Sequence, residues 1–342
     1  MREQEWWRPQ NFARRKNTLD QRVKAVNALR RFFDHSQYVE VETPCLQVSP
    51  GMEVHLMAFE TALDDPYGGP STRLHLHTSP EFAMKKLLVA GVPRLWQMAH
   101  VFRNNERSPT HHPEFTMVEW YRTGATLEDC MDETCELVRA VATAMGQPMM
   151  RRNSHTCDPF APWQRLSIAQ AFQHYAGIEI LATATDRAVL APLAQAINIS
   201  VSPSDSWDDI FFKIMMDQIE PHLGMGAPTI LHSYPVSMAA LARPSPHDPR
   251  VAERFELYAC GVELANAFDE LTDAHEQRRR FEADMATRHS LYGHRYPIDE
   301  DFLAALELGF PQTVGIALGF DRLIMVLTGA ATIDDVLWVP VS

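Results

Sequence analysis

Two runs of strand-forming residues, Arg94 to Phe102 and Phe115 to Tyr121, flank a polar stretch rich in Asn, His and Pro, Arg103 to Glu114. This is the pattern of a long hairpin with a loop at its tip. A second pair of runs lies far downstream, Arg254 to Phe268, turning at Cys260-Gly261. A last apolar run from Thr313 turns at Gly319 into a helix that begins Asp321-Arg322 and ends near Thr328. No internal repeat or low-complexity segment separates them, so they read as parts of one continuous fold.

Helical spacing fills much of the rest. Leu19 to His35 carries Val23, Val26, Leu29, Phe32 and Phe33 with Arg and Lys between them, an amphipathic helix, and Tyr38 to Val41 follows as a short strand. Leu74 to His77 alternates like a strand. Ser79-Pro80-Glu81 then reads as a helix start, with serine as cap, proline in the first turn and glutamate complementing the helix dipole. Thr126 to Met145 and Asp273 to His289 read as helices. Thr156 to Pro162 is a Pro-containing break, and the chain from there to about Arg243 is mainly helical with a strand near Thr229 to His232.

Composition limits the function classes. A chain of 342 residues accommodates one large α/β catalytic unit, residues 1–342, with a helical insertion at about 160–225. No apolar run approaches the ~20 residues that span a bilayer, and the charged, Trp-containing N-terminus has no secretory pattern. The expectation is a cytoplasmic protein with no membrane partner. Five cysteines with no C-x-x-C pair read as free thiols. The net charge of −13 disfavours a large tRNA-binding face, because nucleic-acid affinity comes largely from Lys and Arg on phosphates.

Three blocks carry candidate chemistry. Phe102-Arg103-Asn104-Asn105-Glu106 leads to Pro113 through Tyr121, and an arginine at a hairpin mouth can hold a phosphate by a bidentate contact. In the second block Glu256 and Glu263 fall within a position or two of facing each other across the Cys260-Gly261 turn. Facing like charges destabilise a sheet, and a cation between them removes the conflict. In the third, Gly315 to Leu323, Gly319 permits close approach of a nucleotide, and Arg322 in the first helical turn can lie over an adenine ring. Taken singly, each has an ordinary structural explanation as well: a surface arginine, two solvated carboxylates, close strand-helix packing.

In this order the blocks resemble the three signature motifs of class II aminoacyl-tRNA synthetases, with Val39-Glu40-Val41-Glu42-Thr43-Pro44 resembling the first, dimer-forming one. Asn266-Ala267-Phe268-Asp269-Glu270-Leu271-Thr272-Asp273 is similar to a segment peculiar to the lysyl, aspartyl and asparaginyl subgroup, in its lysyl variant. The resemblance runs from about Leu19 to Val339 and implies an α/β (α+β) fold, an antiparallel sheet flanked by helices, in a homodimer. Lysyl-tRNA synthetases also carry an N-terminal anticodon-binding domain, for which a catalytic helix beginning near residue 19 leaves no room. A stand-alone lysyl-type domain resembles the elongation factor P lysyltransferases, which attach a β-lysine to one lysine of that factor. Ala317 agrees, since tRNA-charging relatives have glycine there.

The resemblance implies ATP and Mg²⁺ as cofactors, lysine or β-lysine as substrate and elongation factor P as protein acceptor. Arg103 and Arg322 become the catalytic pair. The ATP site takes Arg103, Asn104, Asn105, Glu106, His112, Phe115, Glu263, Leu264, Gly319 and Arg322, with Phe115 and Arg322 sandwiching the adenine and Glu256 and Glu263 holding the metal. The amino-acid pocket takes Ser79, Pro80, Glu81, Tyr121, Asn266, Glu270 and Ala317. Its acceptors and anions suit a diamine and repel an aspartate side chain. Relatives usually have glutamate at Asn105, asparagine at His112 and glycine at Ala267. The alternatives are an enzyme that charges tRNA or a small molecule, and a non-catalytic amino-acid-binding paralogue.

Overall fold

The computed structural model describes residues 5–341. In chain order its strands are β1 (Val39–Glu40), β2 (Leu46–Gln47), β3 (Glu60–Leu63), β4 (Thr72–Leu76), β5 (Arg94–Phe102), β6 (Glu114–Thr123), β7 (Met150–Arg152), β8 (His155–Cys157), β9 (Gln164–Ser167), β10 (Thr229–His232), β11 (Arg254–Ala259), β12 (Val262–Asp269) and β13 (Thr313–Gly319). Eight of them form one sheet in the order β1-β5-β6-β13-β12-β11-β10-β9. Both predicted hairpins are present, and β13, the last strand in the chain, lies between them, paired to β6 on one side and β12 on the other. The sheet is antiparallel except at its edges, where β1 with β5 and β9 with β10 run parallel.

Alternation along β6 divides the two faces of this sheet. Thr116, Val118 and Trp120 point one way, and Val118 and Trp120 join a core with Leu29 and Phe33 of helix Pro9–His35, Leu137 and Val141 of helix Leu127–Met145, and Ile324 of helix Phe320–Thr328. Phe33 stacks on Trp96 at 4.5 Å. Each such fully buried side chain contributes about 1.5–3 kcal/mol, so the helices hold the sheet from behind. Phe115, Met117, Glu119 and Tyr121 are thereby committed to the opposite, open face.

Several elements differ from expectation. The first helix begins at Pro9, ten residues before Leu19, with proline in its first turn; the segment from Gln10 to Asn17 is mostly polar, so apolar spacing is silent there. The strand expected over Tyr38 to Val41 is only the two-residue β1. Pro80, not serine, is the N-cap residue of helix Glu81–Val89, although Ser79 Oγ accepts the Glu81 N–H at 3.0 Å. The helix Glu300–Gly309, capped by Asp299, has no counterpart in the spacing argument, because only Phe302, Leu303 and Leu306 are buried along it.

Between β9 and β10 the helical segment packs its own core, with Phe172 stacked on Phe211 at 4.7 Å and Trp207 Nε1 donating to Thr183 Oγ1 at 2.9 Å. Among the described residues no helix is long and apolar enough to cross a membrane.

Candidate active site

The open face of the sheet floors a cleft of about 530 Å³. Its two ends differ in chemistry. At one end Ser79 and Glu81 stand at the corner between β4 and helix Glu81–Val89, facing Glu119 and Tyr121 of β6, Glu270 just beyond β12 and Ala317 of β13. Glu119 Oε1 accepts the Ser79 hydroxyl at 2.6 Å and Oε2 the Tyr121 hydroxyl at 2.8 Å. Burial, and then the Glu81 carboxylate, push Glu119 up to about 8.

Lys85, one turn beyond Glu81 and 2% exposed, donates to Glu81 Oε1 and lies 2.6 Å from Glu270 Oε2. Burial opposes the charge on Lys85, but Glu270 and Glu81 outweigh it and raise its pKa. Glu270 is pushed up to about 8, by burial first, with Lys85 pulling down and Glu81 pushing up. Glu270 Oε1 is buried with no hydrogen-bond partner. Gly315 on β13 makes room for this group: a Cβ there would lie 2.3 Å from the Tyr121 ring and 2.4 Å from Glu270 Oε1.

At the other end Arg103 leaves β5 with its guanidinium 5.2 Å over the Phe115 ring and 4.0 Å from Glu106. Its buried Nε has no partner. Arg322 is held more firmly, donating to the Glu263 carbonyl at 3.1 Å, the Thr110 carbonyl at 3.2 Å and His111 Nε2 at 2.7 Å. Burial, and then Arg322, lower the pKa of His111, which suits its acceptor role. Behind Arg322, the buried Asp321 accepts the Thr116 N–H at 2.7 Å and pairs with Arg22 of the first helix, which locks the helix start to β6.

The acidic hairpin works through an irregularity. Leu257 faces Ala265 but Tyr258 faces Glu263, so Leu264 is an extra residue, a β-bulge. The bulge resets the alternation and brings Glu263 and Asn266, three residues apart, to the same face beside Glu256. Glu256 accepts from Arg254 at 2.6 Å, Tyr258 at 2.6 Å and Tyr234 at 2.5 Å. Among the described residues Glu263 has only Arg322 Nη1, at 3.7 Å. Its carboxyl is pushed up to about 7, by burial first and Glu256 second. Among the described residues no three His, Cys, Asp or Glu converge as a metal site made by protein alone.

This fold and motif set has a match. The model of the family described as "tRNA synthetases class II (D, K and N)" covers residues 7–342. The chain belongs to that family. Relatives named "Elongation factor P--(R)-beta-lysine ligase" include one from Klebsiella pneumoniae (39% identical, 93% of each chain), one from Proteus mirabilis (40%, 94% of each) and one from Actinobacillus succinogenes (38%, 98% of each).

Within this class II synthetase fold, Ser79, Glu81, Arg103, Glu106, His112, Phe115 and Tyr121 all line the one cleft. From the later part of the chain it gathers Glu256, Glu263, Leu264, Asn266, Glu270, Ala317, Gly319 and Arg322. Three expected residues do not line it. Pro80 caps a helix instead, and Asn104 and Asn105 are exposed in the hairpin loop, with the Asn104 N–H bound to the Met57 carbonyl and Asn105 at a φ of 66°. His112 is buried and tied to backbone, at the Glu114 carbonyl and, through Nε2, the Val341 N–H at 3.0 Å.

Four residues were not among the expected site residues: His111 and Arg254, which line the cleft, and Lys85 and Glu119, which pair with residues that do. Arg254 lies over the Tyr234 ring at 4.2 Å and donates to Asn266 Oδ1 at 3.1 Å as well as to Glu256. The Glu81–Lys85 spacing on a mostly apolar helix is a legible signal, since four residues apart is one face. Glu119 and Arg254 are legible only once strand register is known.

Proposed function

We propose that this chain is an ATP-dependent ligase that activates (R)-β-lysine, or lysine, as its adenylate and transfers the acyl group to a lysine side chain of elongation factor P. The observation that carries the reading is the joining of two sites in one cleft: an acidic pocket with an unpartnered Glu270 oxygen, and an arginine pair with acidic neighbours. Similarity to the ligases named above along almost the whole chain supports the protein acceptor, and so does the net charge of −13, which disfavours tRNA.

In the first half-reaction a substrate carboxylate oxygen attacks the α-phosphorus of ATP, and the bond to the bridging oxygen breaks to release pyrophosphate. Arg103, with its free Nε, neutralises charge on the α-phosphate as it builds. Arg322 and Phe115 hold the adenine between a guanidinium and a ring, with Gly319, Leu264, Glu106 and His112 around the nucleotide. In the second half-reaction the acceptor amine attacks the acyl carbon, the C–O bond to AMP breaks, and the amine gives up a proton. Both steps rest mainly on placing reactants in one geometry.

Glu263 and Glu256 would hold Mg²⁺. The donor set fits: two carboxylates on one face of adjoining strands, one pushed up to about 7 by burial and by the other, a conflict that a shared cation removes. The metal supplies neutralisation of phosphate charge. Glu81 receives the α- or β-ammonium of the substrate, and Glu270 with Tyr121 the ε-ammonium, while Ser79, Asn266 and Ala317 line the pocket. The reading includes a cytoplasmic homodimer formed through the segment after the first helix, and a single catalytic domain bearing the helical insertion.

The test is to incubate the protein with ATP, Mg²⁺, elongation factor P and either lysine isomer and read the intact mass of the factor. Addition of one lysyl group to one lysine is expected. Acylation of tRNA instead, with the factor unmodified, overturns the acceptor assignment.

A further inference from the structure

The acidic pocket gathers Glu53, Glu81, Glu119 and Glu270, yet one ammonium of the protein's own reaches into it, and the ligase reading gives that ammonium no role. Lys85 is 2% exposed and has two acid partners, Glu81 on its own helix and Glu270 from beyond β12. The Phe302 ring lies 5.9 Å from it. Each oxygen of Glu119 already holds a hydroxyl. Glu270 Oε2 is against Lys85, and Oε1 faces the space kept open by Gly315 with no partner.

We propose that Lys85 is a positioning and specificity residue: its one ammonium clamps Glu81 and Glu270 in place and leaves Glu270 Oε1 open to the substrate ammonium at that end of the pocket. A lone carboxylate pair at this depth would repel, and one member would take up a proton or turn away. The fixed cation works against both, pulling the Glu270 carboxyl down against burial and holding it in place, so the pocket reorganises less on binding. The Glu270 oxygen left open penalises substrates with a carboxylate at that end, and those with nothing there leave Oε1 buried and unpaired. The inference rests on the amino-acid pocket of the proposed ligase, not on its acceptor.

The charged and titratable groups around the clamp are Glu81 from the same helix, Glu119 and Tyr121 from β6, Asp269 beside Glu270, and Glu53 from the loop before β3. All of these are acids. Removing Lys85 therefore drives protonation of Glu270 further alkaline than its present value of about 8.

The experiment is calorimetric binding of lysine and of ATP, from pH 6.5 to 9, to wild type, Lys85→Met and Lys85→Arg, with a thermal melt of each. For Lys85→Met the lysine Kd at pH 7 rises roughly 30-fold or more while the ATP Kd stays within about twofold. The loss shrinks as pH rises, because higher pH restores the ionised Glu270. Lys85→Arg recovers part of the affinity and keeps the wild-type pH profile. A folded Lys85→Met with unchanged lysine Kd and pH profile overturns the inference. Should Lys85→Met give no cooperative melt, Lys85→Arg decides: its planar fork reproduces the clamp only in part, so an unchanged Kd overturns the proposal. Wild type that binds lysine without modifying elongation factor P sinks the acceptor reading alone, whereas wild type that binds no lysine overturns both.

Discussion

The two ends of the cleft are built on opposite principles. At the amino-acid end nearly every polar group already has a protein partner: Ser79 and Tyr121 on Glu119, and Lys85 between Glu81 and Glu270. At the nucleotide end Arg103 has only a ring face and an acid 4.0 Å away, and Glu263 only a 3.7 Å contact. Buried charges cost most when unpaired, so the proposed diamine pocket is assembled in advance. The proposed phosphate site is more open to water and keeps its cation and carboxylate for a ligand that brings its own charge. Selectivity is thus built in at one end, and charge neutralisation is left for ATP to complete at the other.

Substitutions at each end sharpen that contrast. Arg103→Ala is expected to lower kcat for adenylation by about 10²–10³-fold with a smaller change in the KM for lysine, read by pyrophosphate exchange. Gly315→Ala acts at the opposite end. Its methyl meets Tyr121 and Glu270 Oε1, so kcat/KM for lysine falls by about 10–100-fold while the KM for ATP holds; equal losses for both substrates would break the two-end account. Asp321→Ala removes one partner of the buried Arg22 pair and the acceptor of the Thr116 N–H. The expected cost is about 3–5 kcal/mol of stability, measured by denaturant unfolding.

The pH dependence separates the ends as well. In the folded protein Glu119 and Glu270 keep their protons up to about 8, whereas unfolded they ionise near the ordinary carboxylate value of about 4.3. Unfolding releases those protons, so the stability of the ligand-free protein falls as pH rises from about 5 through about 8. Lysine binding, which uses the ionised Glu270, strengthens over the upper part of the same window. Thermal melts with and without lysine check both signs. The smallest effect is expected for Asn105→Glu. The position is exposed and outside the cleft, and its φ of 66° suits asparagine better than glutamate. Up to about 1 kcal/mol of stability is lost and the KM for ATP stays within about twofold.

What was legible in the sequence follows from what is local. Strand runs, the β5–β6 hairpin, the β11–β12 turn and the Gly319 corner are local patterns, and each appears within a residue or two of its expected place. The motif residues, read in order, pointed to one cleft, and most of them line it. Lys85, Glu119 and Arg254 matter because of partners on other elements, through pairings such as Lys85 with Glu270 that span most of the chain. The bulge at Leu264, which puts Glu263 and Asn266 on one face, is likewise invisible until the register is fixed. Asn104 and Asn105 lie off the cleft for the converse reason: they belong to the motif in sequence, but the loop turns them to solvent.

The central claim, that one cleft joins a diamine pocket to an adenylation site, is tested most directly by pyrophosphate exchange with ATP and, separately, α-lysine, (R)-β-lysine, aspartate and no amino acid. Exchange stimulated by a lysine isomer and not by aspartate is the predicted result. No exchange with any of them by folded protein, or exchange driven by aspartate, would contradict it.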